Sequence, residues 1–387
     1  MDRETGTYCI SSAYGEVVRA FVPHGLPPTA PALALDADLI RRDEVARSAL
    51  ARLAVARPLV PSMEWFLYGF VRKEAVLTSQ IEGTQATLED VFRFEATDRA
   101  ERPEDVEEVC NYVAALTHAR EQLADPKGLP VSGRLLCDTH RVLMHGVRGA
   151  DKLPGEIRRS QNWIGGPRPG RARFVPAPPD RVARLMSDLE RWIQADDPLP
   201  VLVKTGLAHA QFETIHPFLD GNGRIGRMLI TLLIEHWGLL DEPLLYLSQE
   251  LRRRQREYYD RLTAVRSDGD WEGWLRFFLE CVRDAADDGV HVAQTLHQLV
   301  ERDRRRVVAD DRVTVTTIRL LDRLPRWPVL TVSKAVELTS ATAPTARAAV
   351  TLLERLGILR ETSGKKRDRI FAYSEYLEVL TGDGAAA

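Results

Sequence analysis

The feature that most constrains this chain is the stretch HPFLDGNGRIGR at residues 216–227. Gly221, Asn222 and Gly223 tolerate backbone conformations that most residues avoid, so their N–H groups can converge on one anion. From Arg224 onward, apolar residues recur at helical spacing, which puts these N–H groups at a helix N-terminus, where the helix dipole also favours negative charge. We therefore predict a phosphate-binding loop that leads directly into a helix.

The side chains around this loop suit attack on a nucleotide phosphate. Arg224 and Arg227 are three residues apart on one helix face, and their planar guanidinium groups can bind phosphate oxygens in pairs. Asp220 suits Mg²⁺, which usually takes one or two carboxylates together with substrate phosphates. His216 has the side chain most often used as a general base near neutral pH. A single histidine here would more often be an ordinary loop residue, but together these groups predict hydroxyl attack on a magnesium-bound nucleotide. The chain has no GxxxxGK[ST] segment, so the predicted site is not a P-loop.

The composition is that of a soluble globular protein, with 44% hydrophobic and 28% charged residues over 387 positions. This length allows two or three domains. No apolar run reaches the ~18 residues that a membrane span needs, and the N-terminus lacks the pattern of a signal peptide, so we expect a cytoplasmic protein with no membrane contact. The four cysteines form no CxxC pair, which favours reduced thiols over a zinc site or disulfides.

Apolar periodicity predicts a mostly helical chain. Helices are predicted over residues 37–56, 64–77, 103–123, 132–146, 180–195, 199–214, 224–237 and 270–299, with a charged helix ending near 302–306. The Pro-rich segment 23–36 predicts an extended arm. Residues 161–179 are too rich in Gly, Pro and aromatic residues for a helix, and they predict a hairpin or flap.

The C-terminal part has a different pattern. Three short helices are predicted over 313–324, 332–338 and 343–356, followed by two strands near 358–359 and 370–373 around a basic turn, which is the outline of a winged helix. Residues 301–370 hold sixteen Lys or Arg against nine Asp or Glu, a local balance of +7. We predict a mainly α protein with three regions: an N-terminal arm and helical region (1–105), a catalytic core (106–285), and a linker helix with the winged-helix domain (286–380).

The stretch HPFLDGNGRIGR resembles the signature of Fic-domain proteins, HxFx(D/E)GNGRxxR, and matches it at every specified position. The segments LTSQIEGT and GEIRRSQNWIGG and the C-terminal tail also resemble the long bacterial members of that family. The resemblance implies a Fic-type helical core with a short β-hairpin flap. It also implies a protein adenylyltransferase that moves AMP from ATP, with Mg²⁺, to Ser, Thr or Tyr hydroxyls of proteins, including itself, and that commonly forms homodimers.

The resemblance also implies roles for individual residues of the signature. His216 would deprotonate the target hydroxyl, Asp220 would hold Mg²⁺, and Phe218 would anchor the loop in the core. The α- and β-phosphates would be cradled by Gly221, Asn222, Gly223 and Arg224. Arg227 would contact the γ-phosphate.

Two further stretches match the family. Ile164, Gly165 and Gly166 would lie where the flap, which pairs with the target chain, meets the nucleotide pocket. Tyr258 and Tyr259 would line the nucleotide site, although ordinary helix packing with surface hydroxyls also explains them. Some family members have Asn where this chain has Arg266.

The segment Thr78 to Gly83 resembles the inhibitory motif of the family, (S/T)xxxE(G/N). Thr78 and Glu82 are i and i+4 on the predicted helix, and Gly83 is a plausible helix stop. The resemblance implies that Glu82 pairs with Arg227, which would exclude the γ-phosphate of ATP from that arginine.

Two other classes of function remain open from the sequence. The same fold could use another nucleotide donor or remove AMP from modified proteins. Alternatively, the chain could be a nucleotide-sensing DNA-binding regulator, with residues 342–355 as the recognition helix and 364–369 as the wing. The helix offers few side chains suited to base edges, so a docking or dimerisation role for this domain is also consistent with its sequence.

Overall fold

The computed structural model describes residues 3–56 and 63–382, with side chains from residue 67 onward in the second range. In these ranges the chain forms fifteen α-helices and five short strands. The N-terminal elements are β1 (Gly6–Ala13), β2 (Glu16–Pro23), α1 (Ala37–Val55), α2 (Met63–Ile81), α3 (Leu88–Thr97) and α4 (Pro103–Ala124). The central helices are α5 (Gly133–Leu143), α6 (Pro179–Gln194), α7 (Val201–Ile215), α8 (Asn222–His236), α9 (Ser248–Arg253), α10 (Gln255–Asp268) and α11 (Trp271–Val308). The C-terminal elements are α12 (Val315–Arg323), β3 (Val329–Thr331), α13 (Val332–Thr339), α14 (Ala343–Arg355), β4 (Arg360–Glu361), β5 (Ile370–Ala372) and α15 (Ser374–Thr381).

Helix α7 lies at the centre of the fold. Every residue from 202 to 215 is buried, because the helix is covered on all sides by α6, α8, α10 and α11. Gly206 allows a close approach of α11, since a Cβ at this position would lie 2.9 Å from Leu275 and Phe278 of that helix. The indole N–H of Trp274 donates to the Gly206 carbonyl at 2.8 Å. The C-terminus of α7 is therefore held rigidly, and the signature loop begins there.

An antiparallel hairpin of β1 and β2 covers the flap. The Phe21 N–H of β2 donates to the Val175 carbonyl at 2.9 Å, so one main-chain bond joins the flap to the hairpin. Ala13, Val18 and Val175 form a small separate core between hairpin and flap. This hairpin was not predicted from the sequence. Residues 24–36 form no helix, as their prolines predict.

The C-terminal elements α12 to β5 form three helices and a three-stranded antiparallel sheet in the order β3-β5-β4. These elements include the three helices and two strands predicted from the sequence, together with one additional strand, β3. The domain packs on the rest of the chain through α11 and α2. The Tyr373 hydroxyl donates to Asp303 of α11 at 2.7 Å, and the rings of Tyr68 of α2 and Trp327 lie 5.9 Å apart.

The mainly α prediction is confirmed. Helix α2 runs four residues beyond its predicted end, and α11 continues through the charged stretch 302–306, where its end was predicted, to Val308. Helices α3, α9, α10 and α15 were not predicted. Among the described residues, no helix has both the length and the apolar character that crossing a membrane would require.

Candidate active site

The signature loop joins α7 to α8 and is closed by its own residues. His216 ends α7 with φ of 51° and Gly221 precedes α8 with φ of 73°, so two left-handed residues bracket the turn. The Asn222 side chain accepts from the Phe218 N–H and donates to the Phe218 carbonyl, both at 2.8 Å. Asn222 therefore fixes the loop instead of pointing into the site. Phe218 is buried beneath it.

Two residues from outside the signature brace the same loop. His140 of α5 accepts from the Gly155 N–H through Nδ1 at 2.8 Å, which leaves Nε2 to donate to the Asp220 carbonyl at 3.1 Å. Its ring stacks on Phe218 at 3.9 Å. The pKa of His140 is lowered to about 4, mainly by burial, so this ring is neutral. Asn162, at the base of the flap, donates to the carbonyls of Phe218 and Leu219.

His216 has the protonation state that a base requires. The pKa of its imidazole is lowered to about 3, first by burial and then by the nearby guanidinium groups of Arg158 and Arg266. The ring is therefore neutral at pH 7. Its Nδ1 is buried and has no hydrogen-bond partner among the described residues.

The second arginine of the signature is held by the predicted inhibitory motif. Arg227 Nη2 lies 2.6 Å from Glu82 Oε1 and 3.1 Å from the Thr78 carbonyl, and its Nε donates to the Thr78 hydroxyl at 2.6 Å. Burial alone would lower the pKa of Arg227, but Glu82, Tyr258 and Glu213 together outweigh burial and the pKa is raised. A Cβ on Gly223 would lie 2.2 Å from Glu82 Oε1. The Glu82 carboxylate thus fills the space at the start of α8 that only glycine leaves open.

One detail of the predicted motif was wrong. Glu82 is not on the same helix as Thr78, because α2 ends at Ile81. The Glu82 and Thr84 N–H groups both bond to the Ser79 carbonyl, at 3.0 and 3.2 Å, and Gly83 has φ of 98°. The left-handed Gly83 ends the helix at Ile81, so Glu82 lies in the turn that follows. This turn directs the Glu82 side chain toward Arg227.

The first arginine of the signature has a different acidic partner. Arg224 is buried and its Nη1 lies 3.5 Å from Glu108 of α4, which also accepts from the Thr84 hydroxyl at 2.8 Å. Asp220 lies 3.8 Å from Arg224, and its carboxylate accepts from the Gly221 N–H at 2.6 Å.

Asp220 is also the candidate metal ligand, and its side chain is 43% exposed. The described residues contain no group of three or more His, Cys, Asp or Glu side chains placed to hold a metal ion. A single accessible carboxylate fits Mg²⁺ that is bound mainly by the phosphates of a nucleotide.

The predicted flap residues form a narrow turn. The Ile164 N–H donates to the Phe174 carbonyl at 2.8 Å, and Arg173 bonds to the Gly165 carbonyl. A Cβ on Gly166 would lie 2.2 Å from the Arg171 carbonyl, and the φ of Gly166 is 87°, so this position requires glycine. Glycine at this point lets the two legs of the flap approach closely.

The two predicted tyrosines differ in their surroundings. The Tyr258 hydroxyl is buried against Nε2 of His209 at 2.9 Å, and the other His209 nitrogen lies 2.8 Å from the Gly226 carbonyl. Tyr259 is 38% exposed. Arg266, where some family members have Asn, is half-buried with its guanidinium 4.2 Å from the centre of the Phe174 ring. Tyr258 thus packs in the core beside α8, while Tyr259 remains accessible.

Sequence reasoning missed several residues that build the site. Arg158 and Asn162 lie in the segment GEIRRSQNWIGG, which was matched to the family without assigning these two. Glu108 and His140 are on helices with no local signal. Glu213 is buried, one of its carboxylate oxygens has no partner among the described residues, and its pKa is raised to about 7, chiefly by burial.

Comparison with known proteins agrees with this geometry. The Fic/DOC family N-terminal model matches residues 40–121 and the Fic/DOC family model matches residues 130–234. The protein adenylyltransferase Fic of Drosophila erecta is 30% identical over 154 residues, which is 39% of this chain and 28% of the relative. The protein of the same name from Drosophila melanogaster is 31% identical over 135 residues, 34% of this chain and 25% of the relative. The chain thus spans about a quarter of the length of the curated relatives it matches.

Solved structures share the fold. A Fic family protein from Desulfovibrio desulfuricans G20 superposes with a TM-score of 0.56 at 23% identity, over 88% of this chain and 97% of that one. Fic-1 from C. elegans superposes with a TM-score of 0.52 at 20% identity, over 68% of this chain and 74% of that one. At these identities the likeness establishes a Fic fold.

Proposed function

We propose that this chain, which belongs to the Fic/DOC family, is a protein adenylyltransferase that transfers AMP from ATP to hydroxyl groups of proteins and is inhibited by its own Glu82. The observation that carries the proposal is the position of the Glu82 carboxylate. It lies 2.6 Å from Arg227 and against Gly223, at the helix N-terminus where a phosphate group would bind.

The reaction needs a base and a phosphate cradle, and the described residues supply both. The hydroxyl oxygen of the target forms a bond to the α-phosphorus of ATP, the bond from that phosphorus to the β-phosphate oxygen breaks, and pyrophosphate leaves. His216, neutral at pH 7, accepts the hydroxyl proton. The main chain at Gly221 to Gly223 and the guanidinium group of Arg224 face the α- and β-phosphates, and Arg227 faces the γ-phosphate once Glu82 has moved. Asp220 would hold Mg²⁺, which when bound offsets the negative charge of the phosphates.

The flap and the tyrosines complete the proposed site. Ile164, Gly165 and Gly166 would pair with an extended segment of the target protein, and Tyr259 would border the nucleotide. Tyr258 would act from the core by supporting Gly226 through His209. We also propose self-modification and a homodimer. The homodimer is testable by light scattering across a range of protein concentrations.

A labelling experiment tests which bond of ATP is broken. Glu82→Gly protein is incubated with Mg²⁺ and ATP labelled either at the α- or at the γ-phosphorus, and His216→Ala in the same background serves as the control. We expect stable label from α-labelled ATP only, and none in the His216→Ala control. Retained γ-label would instead indicate phosphoryl transfer and would contradict the proposal.

A second candidate function, DNA binding by the C-terminal domain, is favoured by its unpaired charge. Lys365, Lys366 and Arg367 in the loop between β4 and β5 are exposed and make no ion pair with the described residues. The outer face of α14, with Thr345 and Arg347, is also exposed. Few of these side chains suit base edges, so binding would be dominated by phosphate contacts.

Binding of the whole chain to a 30-base-pair duplex at several salt concentrations tests this candidate. The slope of log K against log salt is negative for such binding. In the variant Lys365→Glu/Lys366→Glu/Arg367→Glu it should become less negative by about 3 units, because three phosphate contacts are lost. The matched control changes three exposed arginines that also lack ion pairs in the described ranges, Arg99, Arg134 and Arg252, to Glu. Equal binding by the two variants, or no binding by the unchanged chain, would remove this function.

A further inference from the structure

Arg158 connects the flap to the signature loop, although it belongs to neither the signature nor the inhibitory motif. Its side chain is 1% exposed. The guanidinium group donates to four main-chain carbonyls: His216 at 2.8 Å, Ala177 at 2.5 Å, Ser160 at 3.3 Å and Ile215 at 3.4 Å. Ser160 directly precedes the flap and Ala177 lies in its second leg, while Ile215 and His216 lie at the end of α7. One side chain therefore joins three segments of the site.

The charge of Arg158 has no counter-ion in the described ranges. No carboxylate lies within ion-pair distance, and burial lowers the pKa of its guanidinium to about 10. A buried cation stabilised only by carbonyl dipoles costs more free energy than an apolar side chain of similar size. The neighbouring Arg159 shows the ordinary arrangement, since it is exposed and pairs with Glu156 at 2.5 Å.

The main chain of His216 needs such support. His216 has φ of 51° and ψ of 64°, in the left-handed region that residues other than glycine seldom adopt. The Arg158 side chain bonds to the main chain on both sides of the His216 Cα, because Nη2 donates to the Ile215 carbonyl at 3.4 Å and Nε donates to the His216 carbonyl at 2.8 Å. The direction in which the imidazole leaves the main chain is thus set by these two bonds.

We propose that Arg158 is a positioning residue for AMP transfer, which fixes the direction of the His216 imidazole and links it to the flap that receives the target chain. This inference rests on the proposed function. Arg158 contacts neither Arg227 nor the residues expected to bind the phosphates, so it should affect the transfer step rather than the binding of ATP.

Arg158 also contributes to the electrostatics of the base. The charged groups that face the His216 ring are Arg158 and Arg266, and the Glu213 carbonyl opposes them. Removing one of the two guanidinium groups should therefore make the ring easier to protonate. A side chain that only anchored the flap would leave this property unchanged.

The test compares Arg158→Gln and Arg158→Lys with Arg159→Gln and Arg159→Lys, all in the active Glu82→Gly background. We expect kcat to fall roughly 10- to 100-fold in both Arg158 variants, because a small displacement of a catalytic group costs about that much, while KM for ATP stays within about twofold. In nitrogen NMR spectra of labelled histidine recorded at falling pH, the His216 ring should protonate at a higher pH in Arg158→Gln than in Arg158→Lys and in the parent. The Arg159 variants should match their parent in all three properties.

Parental kcat in a folded Arg158→Lys or Arg158→Gln protein would overturn the proposal. A loss of kcat in Arg158→Gln with an unchanged His216 spectrum would also overturn it, because Arg158 would then act only on the flap. If Arg158→Gln does not fold, the kcat of Arg158→Lys decides the question. If the parent itself transfers no AMP, the proposed function fails, and the NMR comparison still reports whether Arg158 governs His216.

Discussion

Arg227 is held from two sides by residues that are far away in the sequence. Glu82 supplies the charge, and Thr78 supplies a hydroxyl at 2.6 Å from Nε and a carbonyl at 3.1 Å from Nη2. A hydrogen bond to a charged group contributes about 1.5–3 kcal/mol. The Thr78 hydroxyl should therefore contribute measurably to keeping Arg227 away from ATP.

Thr78→Val tests this contribution with almost no change in shape. We expect self-modification with AMP to increase roughly 3- to 30-fold, less than in Glu82→Gly, because the carboxylate remains. Ser79→Ala is the matched control, since the buried Ser79 hydroxyl has no hydrogen-bond partner within the described ranges. Equal rates in Thr78→Val and the unchanged protein, measured by intact mass over time, would show that Glu82 holds Arg227 alone.

The pKa of His216 predicts an unusual dependence of rate on pH. A free histidine with a pKa of about 6.5 would lose roughly 90% of its base form by pH 5.5. Because the pKa of His216 is lowered to about 3, the base form should persist as the pH falls. Initial rates of Glu82→Gly at saturating ATP should change less than about twofold between pH 7.5 and 5.5. A rate that halves near pH 6.5 would mean that the ring titrates as an exposed histidine.

At the residue scale, the sequence was informative where one residue type has one use. Gly166 lies in a tight backbone position, because a Cβ there would lie 2.2 Å from the Arg171 carbonyl, whereas a Cβ on Gly223 would meet the Glu82 side chain. Asn222 was predicted to bind phosphates, yet its side chain bonds to the main chain of Phe218. Glu108 and Arg158 could not be found from the sequence, since their importance depends on partners brought together only by the fold.

At the scale of elements, the site depends on how closely α7 and α11 pack. Gly206 allows this approach, and the helices cross with the Trp274 indole bonded to the Gly206 carbonyl. Any shift of α7 along this contact would move His216, which ends the helix.

Gly206→Ala tests the tightness of this contact. The added Cβ would lie 2.9 Å from side-chain atoms of Leu275 and Phe278, and overpacking of this kind costs about 1–3 kcal/mol. We expect the free energy of unfolding, measured in denaturant, to fall by that amount. Gly25→Ala serves as the control, since nothing lies within 4 Å of a Cβ there. Unchanged stability of Gly206→Ala would mean that the helices can separate without cost.

Helices with strong apolar periodicity were predicted to within a few residues at most ends, α1, α6 and α14 among them. Hairpin β1–β2 was not predicted, because its apolar residues do not mark the buried face of the strands. Tyr8, Ile10 and Val17 are apolar, yet their side chains are exposed. Strand β3 of the C-terminal domain was not predicted, because three residues between two helices are too few for periodicity to indicate a strand.

At the scale of the whole molecule, burial shifts the pKa values of histidines and carboxyl groups in opposite directions. The pKa values of His140, His209 and His216 are lowered to between about 3 and 4 by burial. The pKa values of three carboxyl groups are raised to about 7, also chiefly by burial: Glu74, Glu213 and Glu235. The histidines therefore bind fewer protons in the folded state than in the unfolded state, and the carboxyl groups bind more.

These shifts determine how stability should depend on pH. As the pH falls from 6.5, protonation of the histidines in the unfolded state lowers the free energy of unfolding. Protonation of the three carboxyl groups in the folded state raises it. Each proton that one state binds and the other does not changes the free energy of unfolding by up to about 1.4 kcal/mol per pH unit. The free energy of unfolding should therefore change by less than about 2 kcal/mol between pH 6.5 and 5. It should fall below pH 4.5, where the histidines and the ion-paired carboxylates with lowered pKa values, such as Asp38, both cost stability as they are protonated. Denaturant unfolding across this range measures it. A steady steep loss from pH 6.5 downward would mean that the carboxyl groups are not protonated in the folded protein.

The central claim is that Glu82 blocks an AMP-transfer site built around His216. The most direct measurement is the intact mass of the unchanged protein, Glu82→Gly, and Glu82→Gly/His216→Ala after incubation with ATP and Mg²⁺, with GTP, CTP and UTP in parallel. We predict a gain of one or more AMP units in Glu82→Gly with ATP, little gain in the unchanged protein and none in the double variant. Equal modification of the unchanged protein and Glu82→Gly would contradict the block, and no adduct in any variant with any nucleotide would contradict the transfer reaction.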